Sequence, residues 1–337
     1  MGKTVLLTGG AGFIGSHTVE YFLKNTDYNI IVLDRLSYAG NLNRLTESKY
    51  WDSDRVKFYY HDFRSSFSKE KIGQLTDLFG SLEYIVHMGA ESHVDRSIED
   101  PYPFVYSNVL GTVNILELAK CLYENKLLEC MVYVSTDEIY GPVKGSQLHK
   151  ETDSHNPSNP YSASKASGEN FCIAYHNTHN IPIMITRTMN NYGERQDIEK
   201  FVPKVVYNVL NDLPVTVHCA LDSFGTVIDV SSRCWLHAQN HADGIDFLLK
   251  NGLPGESYNI TGEKVYVDQL AMRIAEILGK DIDLKYEDFH SFRPGHDMHY
   301  GLDGSKMNEL GWEPPVSLSE SLEKTVKWIS KNKNWLY

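Results

Sequence analysis

Tyr161 and Lys165 stand four positions apart in Tyr161-Ser162-Ala163-Ser164-Lys165, a spacing that places both on one face of a helix. An ammonium beside a phenol favours the phenolate and lowers the tyrosine from its ordinary pKa of about 10. Such a pair suits a base that takes a hydroxyl proton while hydride leaves the same carbon. Taken alone, the pattern is common and describes a surface pair equally well. It gains meaning from a strand upstream that ends Val134-Ser135-Thr136. Ser135 or Thr136 would supply a hydroxyl that orients the substrate or the phenolate.

A hydride needs an acceptor, and the start of the chain is built for one. Thr4–Thr8 reads as a strand, Gly9-Gly10-Ala11-Gly12-Phe13-Ile14-Gly15 as a turn opening a helix, and Asn29–Leu33 as a strand stopping at Asp34. Gly9, Gly12 and Gly15 let the backbone turn sharply, approach a pyrophosphate and pack helix on strand. The helix start at Phe13 and Ile14 then offers free N–H groups to that pyrophosphate. Asp34 is placed to accept both ribose hydroxyls of an adenosine, and its charge repels a ribose 2′-phosphate. The expected cofactor is therefore NAD, with the neighbouring Arg35 as the one cue for NADP. After a third strand at Val56–Tyr60, Asp62 precedes Phe63. Asp62 fits either an acceptor for an adenine amino group or a helix N-cap.

A chain of 337 residues can bury a full core. Its net charge of −12 argues against nucleic acid as a partner, so an anionic substrate needs local arginines. No apolar run approaches the roughly eighteen residues of a membrane span. The apolar start reads as a strand, not a secretory signal. The five cysteines are widely spaced without a C-x-x-C pair, which speaks against disulfide or zinc frameworks. A cytoplasmic location follows. His296-x-x-His299 lacks a third ligand nearby, and no metal is expected.

Further strands are expected at Glu83–Met88, Met131–Ser135 and Ile181–Arg187, with helices at Phe13–Leu23, Pro103–Glu124 and Tyr161–His179. That alternation implies right-handed crossovers and a parallel sheet covered on both faces. Ligands then sit outside the carboxyl ends of the strands, so Gly89–Arg96, Ser135–Gly141 and Thr188–Gly193 matter most. Beyond residue 188 the spacing predicts helices at Phe201–Leu210, His237–Leu249, Val267–Leu278 and Leu318–Lys331, and strands at Val215–His218 and Ser257–Ile260. Leu221–Ser232 is a polar, glycine-containing stretch. The expected fold is α/β: a Rossmann-type doubly wound parallel sheet with a smaller α/β C-terminal substrate domain. The first would take residues 1–187 plus about 233–262, and the second about 188–232 plus 263–337.

The whole chain resembles the extended short-chain dehydrogenase/reductases, and within them the nucleotide-sugar 4,6-dehydratases, most of all the dTDP-glucose 4,6-dehydratase family. The motifs are Thr8–Gly15, Asp34–Leu42, Ala90–Ile98, Ser135–Gly141 (STDEIYG), Tyr161–Ser167 (YSASKAS), Asn190–Gly193 (NNYG), Arg293–Asp297 (RPGHD) and Leu310–Pro314 (LGWEP). STDE-x-YG discriminates, because epimerases of the superfamily share Tyr and Lys but generally lack the adjacent acids. The resemblance implies that Tyr161, aided by Lys165, takes a hydroxyl proton as NAD accepts hydride from carbon 4. Glu138 would remove the carbon 5 proton, Asp137 would protonate the departing carbon 6 hydroxyl, and Thr136 would hold the carbon 4 oxygen. Their pKa values must then be pushed apart. Ala90–Ile98, with Ser92, would cover the nicotinamide and sugar, although His93, Asp95 and Arg96 fit an internal ion-pair network equally. Asn108 would support the cofactor side. Arg233, Arg293 and Asn190 would hold the diphosphate. A homodimer built on the helices near Pro103–Glu124 and Tyr161–His179 is also implied.

The chain departs from that pattern at His87-Met88-Gly89-Ala90, at Thr188-Met189, at Glu194-Arg195-Gln196 and across Leu221–Cys234. These segments should line the base and sugar pockets, so UDP-glucose and UDP-N-acetylglucosamine stay open as substrates beside dTDP-glucose. A 4-epimerase would share the oxidation but make Asp137 and Glu138 superfluous. An idle binding protein of the same fold is the non-enzyme alternative.

Overall fold

The computed structural model describes residues 2–143, 147–289 and 297–336. Seven strands form a parallel sheet in the order β3-β2-β1-β4-β5-β6-β11. They are β1 (Thr4–Thr8), β2 (Asn29–Asp34), β3 (Val56–Tyr60), β4 (Tyr84–His87), β5 (Cys130–Thr136), β6 (Ile183–Thr188) and β11 (Ser257–Ile260). Side chains of β1, β4, β5 and β6 are buried along their whole length, as a sheet covered on both faces requires. One face packs under α1 (Phe13–Asn25) and α5 (Ala238–Asn251) through Phe22, Ile245 and Leu248, joined by Trp312 from the C-terminal stretch. The other packs under α2 (Gly111–Glu124) and α3 (Pro160–His179) through Ile115, Leu118 and Cys172.

A separate apolar cluster joins α4 (Phe201–Leu210), α6 (Val267–Leu278) and α7 (Leu318–Lys331) through Val206, Ile274 and Val326. Two three-stranded sheets flank it. One pairs β7 (Asn191–Tyr192), β10 (Ser232–His237) and β12 (Glu263–Tyr266), and the other β8 (Val215–Leu221), β9 (Val227–Val230) and β13 (Leu284–Asp288). The polar stretch Leu221–Ser232 thus closes the hairpin of β8 and β9, which has a bulge at Ala220/Leu221, and runs on into β10. The helix expected over Pro103–Glu124 is also interrupted. Val105–Leu110 forms a π turn before α2 begins, and such turns often mark functional sites. This one carries Asn108.

Candidate active site

The turn after β1 is closed too tightly for a side chain at Gly9 or Gly15. Gly9 has φ +73°, and a Cβ there would lie 2.7 Å from the Gly89 Cα. A Cβ on Gly15 would lie 2.1 Å from the Gly9 carbonyl oxygen. Gly12 caps α1 without a side-chain bond, and the first helical turn holds no acid. The free N–H groups and the positive helix end therefore face the cleft ready for an anion. Asp34 braces this turn: one oxygen accepts from the Ala11 N–H at 2.9 Å and the other from the Leu36 N–H at 2.8 Å. A carboxylate has about four acceptor sites, so capacity for ribose hydroxyls remains.

Arg35 is committed elsewhere than to a 2′-phosphate. Its guanidinium donates to Glu91 and, at 3.3 Å, to Ser107, and it lies 3.8 Å from Asp62. Asp62 stands apart from the other expected cofactor residues. It does not line the cleft, and Ser68 caps the helix that follows. Arg64, two residues on, forks its carboxylate at 2.6–3.0 Å. Phe63 does line the cleft, its ring filling the space that side chains at Gly89 and Gly111 would need.

One cleft of about 1150 Å³ runs from that turn across the carboxyl ends of β1, β4, β5 and β6. Beyond Gly9–Gly15, Asp34, Arg35 and Phe63 it is lined by Ser92, Thr136, Asp137, Glu138, Tyr161, Lys165, Asn190 and Arg233. Residues expected from segments scattered between positions 9 and 233 thus share one cavity. Arg293 lies outside the described residues.

At its centre β5 ends in a short 3₁₀ turn, Asp137–Tyr140, capped by the Thr136 side chain. The Thr136 hydroxyl accepts from the Glu138 N–H at 3.3 Å and donates to Asp137 at 3.1 Å. The other Asp137 oxygen has no hydrogen-bond partner. Burial, helped by the adjacent Glu138 charge, pushes Asp137 up to about 8. Burial also raises Glu138, but the Asn159 amide, donating at 3.2 Å, and Arg233 pull it back. At neutral pH Asp137 therefore holds a proton. Asn159 was not among the expected residues, although Asn-Pro ahead of a helix is an N-cap signal. It caps α3 through a reciprocal box with Ser162 and fixes the helix start against Glu138.

Tyr161 and Lys165 share one face of α3, but their relation differs from expectation. The lysine Nζ donates to the Val134 carbonyl at 2.7 Å and sits 4.3 Å from the centre of the Tyr133 ring. Burial raises the Tyr161 phenol, with Glu138 and Asp137 adding to it, and only the Thr136 hydroxyl pulls the other way. Burial thus outweighs any lowering by Lys165, whose ammonium is directed at the Val134 carbonyl of β5. Lys165 is itself pushed down to about 8 by burial, against the pull of Glu169.

Asn108 accepts from the Glu91 N–H and donates to the Glu91 carbonyl, both at 2.9 Å, and donates to Ser164 on α3 at 2.8 Å. It binds the loop after β4 to α3. His93 and Arg96 reach across the cleft mouth to Glu199 at 3.7 and 3.5 Å. The Arg233 guanidinium donates to the carbonyls of Ser232, Asp297 and Met298.

A family model described as GDP-mannose 4,6 dehydratase matches residues 6–325. The dTDP-glucose 4,6-dehydratase of Salmonella typhimurium is 34% identical, covering 98% of this chain and 94% of its own. The structure of dTDP-glucose 4,6-dehydratase from Bacillus anthracis in complex with NAD superposes with a TM-score of 0.84 at 34% identity, over 99% of this chain and 98% of that one. A UDP-glucuronic acid 4-epimerase from Bacillus cereus, in complex with UDP-glucuronic acid and NAD, reaches 0.83 at 26% identity, over 99% of this chain and 100% of its own. The backbone alone therefore does not separate dehydratase from epimerase; the side chains after β5 must. With a match spanning nearly its whole length, this chain belongs to the GDP-mannose 4,6 dehydratase family.

Proposed function

We propose that the protein is an NAD-dependent nucleotide-sugar 4,6-dehydratase, with dTDP-glucose as the first-choice substrate. The observation that carries this reading is the adjacent acid pair beside Tyr161, Glu138 half-buried and Asp137 buried with one oxygen unpartnered and its proton held at neutral pH. An epimerase has no work for such a pair. The Gly9–Gly15 turn, Asp34 and Phe63 would hold NAD, whose chemistry when bound is to accept hydride from carbon 4 and return it to carbon 6.

Tyr161, oriented by Thr136, takes the carbon 4 hydroxyl proton. The resulting ketone makes the carbon 5 hydrogen acidic, and Glu138 removes it. Asp137 gives its proton to the departing carbon 6 hydroxyl, so water leaves without hydroxide forming. Glu138 then returns its proton to carbon 5; the carbon 4 oxygen stays a ketone, so the cycle closes when Tyr161 gives up the proton it took and Asp137 takes one up in place of the one lost with water. Lys165 acts in this scheme through its charge, once a substrate oxygen replaces part of its present shell. Asn190 and Arg233 face the diphosphate, Arg233 after exchanging a carbonyl for phosphate oxygen.

Two finer points belong to the same reading. The sheet and its two flanking apolar clusters would form the cofactor domain, and the α4, α6 and α7 cluster the sugar-nucleotide domain. Exposed Tyr102, Val105, Tyr106 and Leu110 beside Phe171 and Ile173 on α3 support a homodimer across these helices. No helix among the described residues is long and apolar enough to cross a membrane, in keeping with a cytoplasmic enzyme.

The test is incubation of the purified protein with dTDP-glucose, UDP-glucose and UDP-N-acetylglucosamine. Loss of one water with a 4-keto-6-deoxy product supports the reading, and the best substrate names the base. An unchanged mass with inverted carbon 4 selects the epimerase instead.

A further inference from the structure

The segment after β7, Glu194–Asp197, departs from the pattern of the family its motifs resemble, and the proposed chemistry makes no use of it. In the structure it is a strap tied to the dinucleotide end of the cleft, which Gln196 and Asp197 help to line. The main tie is Arg44, in the helical turn Asn43–Thr46, whose side chain is only 1% exposed. Its Nε donates to the Arg195 carbonyl at 3.0 Å and its Nη2 to Asp197 at 2.7 Å. Its Nη1 donates to the Ala39 carbonyl at 2.6 Å and, at 3.5 Å, to that of Ala11. Ala11 is the centre of the glycine-rich turn, and its N–H is the one Asp34 accepts. One planar fork thus joins the strap, the loop after β2 and the pyrophosphate turn, which a lysine's single point charge does not reproduce.

Two further ties run to α1 and the C-terminal half. Arg195, held at φ +63°, pairs with Glu20 at 2.7 Å. The Glu194 carbonyl accepts from His17 at 2.8 Å, while its carboxylate accepts from His237 at 3.1 Å and lies 3.3 Å from Lys324. We propose that Arg44 is a positioning residue that fastens this strap over the adenosine half of the cleft and so retains NAD from one turnover to the next. The inference rests on the NAD reading above. A dehydratase leaves its cofactor in the starting state after each cycle, so slow exchange costs it nothing, and escape of the reduced form in mid-cycle would abort the reaction.

The experiment compares full-length wild type with Arg44→Met, Arg44→Lys and Asp197→Asn, each loaded with NAD and passed into cofactor-free buffer. Bound NAD is followed by exchange against labelled NAD, free NADH by its absorbance during turnover, and folding by Tm. Both Arg44 variants should exchange NAD at least about tenfold faster, since lost contacts act mainly on the off-rate. Their activity should come to depend on added NAD, and NADH should appear in solution. Asp197→Asn, which leaves the carbonyl bonds in place, should exchange about threefold faster. Exchange at the wild-type rate in folded Arg44→Met overturns the proposal. Should Arg44→Met fail to fold, wild-type exchange in Asp197→Asn overturns it in the same way. A wild type that binds no NAD overturns the cofactor reading, and this inference with it.

Discussion

Asp137, after β5, and Glu169, on α3, are both buried acids, yet their protonation is opposite. Burial raises each. At Glu169 the effect is more than offset by His155 at 3.2 Å and by Arg187, whose Nη2 donates at 2.8 Å, so the carboxyl is held below its ordinary range. Asp137 has a single threonine bond and one oxygen with no partner, and it is pushed up to about 8. The contrast teaches which acid is structural. A buried charge supplied with cations stabilises the fold only when kept intact, whereas one left uncompensated is poised to give up a proton.

The largest effect expected from breaking this comparison is on catalysis. Asp137→Asn should cut dehydration about 10²–10⁴-fold, the usual worth of a positioned acid. Glu138→Gln should act similarly, read as product formed per enzyme from the nucleotide sugar. Glu169→Gln should instead act on stability, by about 3–5 kcal/mol, because it strands the Arg187 charge in the interior. Denaturant unfolding checks it, and an unchanged midpoint would remove the structural role assigned here.

The pH dependence sharpens the same point. Asp137 binds its proton more tightly when folded than unfolded, so its contribution is full below pH 4 and is lost as pH rises through about 8. Asp137→Asn should therefore flatten the decline of stability over that window and be the more stable protein at pH 8. Glu169, held low, has the opposite sign: its contribution is present above the ordinary carboxyl range and is lost as pH falls through its lower folded value. The smallest effect should be on the rate profile, where dehydration falls about tenfold per pH unit above the Asp137 value. A flat profile to pH 10 in the presence of substrate would assign the proton to another group.

Much of the site was legible because its parts are local. The glycine turn, the Asp137–Glu138 step after a strand and the Tyr161–Lys165 spacing each lie within a few residues, so short-range geometry specifies them. Asn159 had a local signal as well, in the proline that follows it. The short strands β7, β9, β10, β12 and β13 had none, since each pairs with partners set by the tertiary fold. The π turn at Val105–Leu110 was hidden for a related reason: its residues suit an α-helix, and its contacts with α3 and the loop after β4 are long-range.

What the amino-acid order determined unaided was the set of candidates: a glycine-rich turn after a strand, a tyrosine and lysine one helical turn apart, and two neighbouring acids. Only the folded chain decided their states. Whether Asp137 is charged depends on how deeply the fold buries it beside Glu138 and how closely Arg233 approaches from β10, and whether Lys165 faces Tyr161 or Val134 depends on how α3 lies against β5. Both are sums of contacts between segments far apart in the sequence, and electrostatic energy in a poorly screened interior is set by those distances.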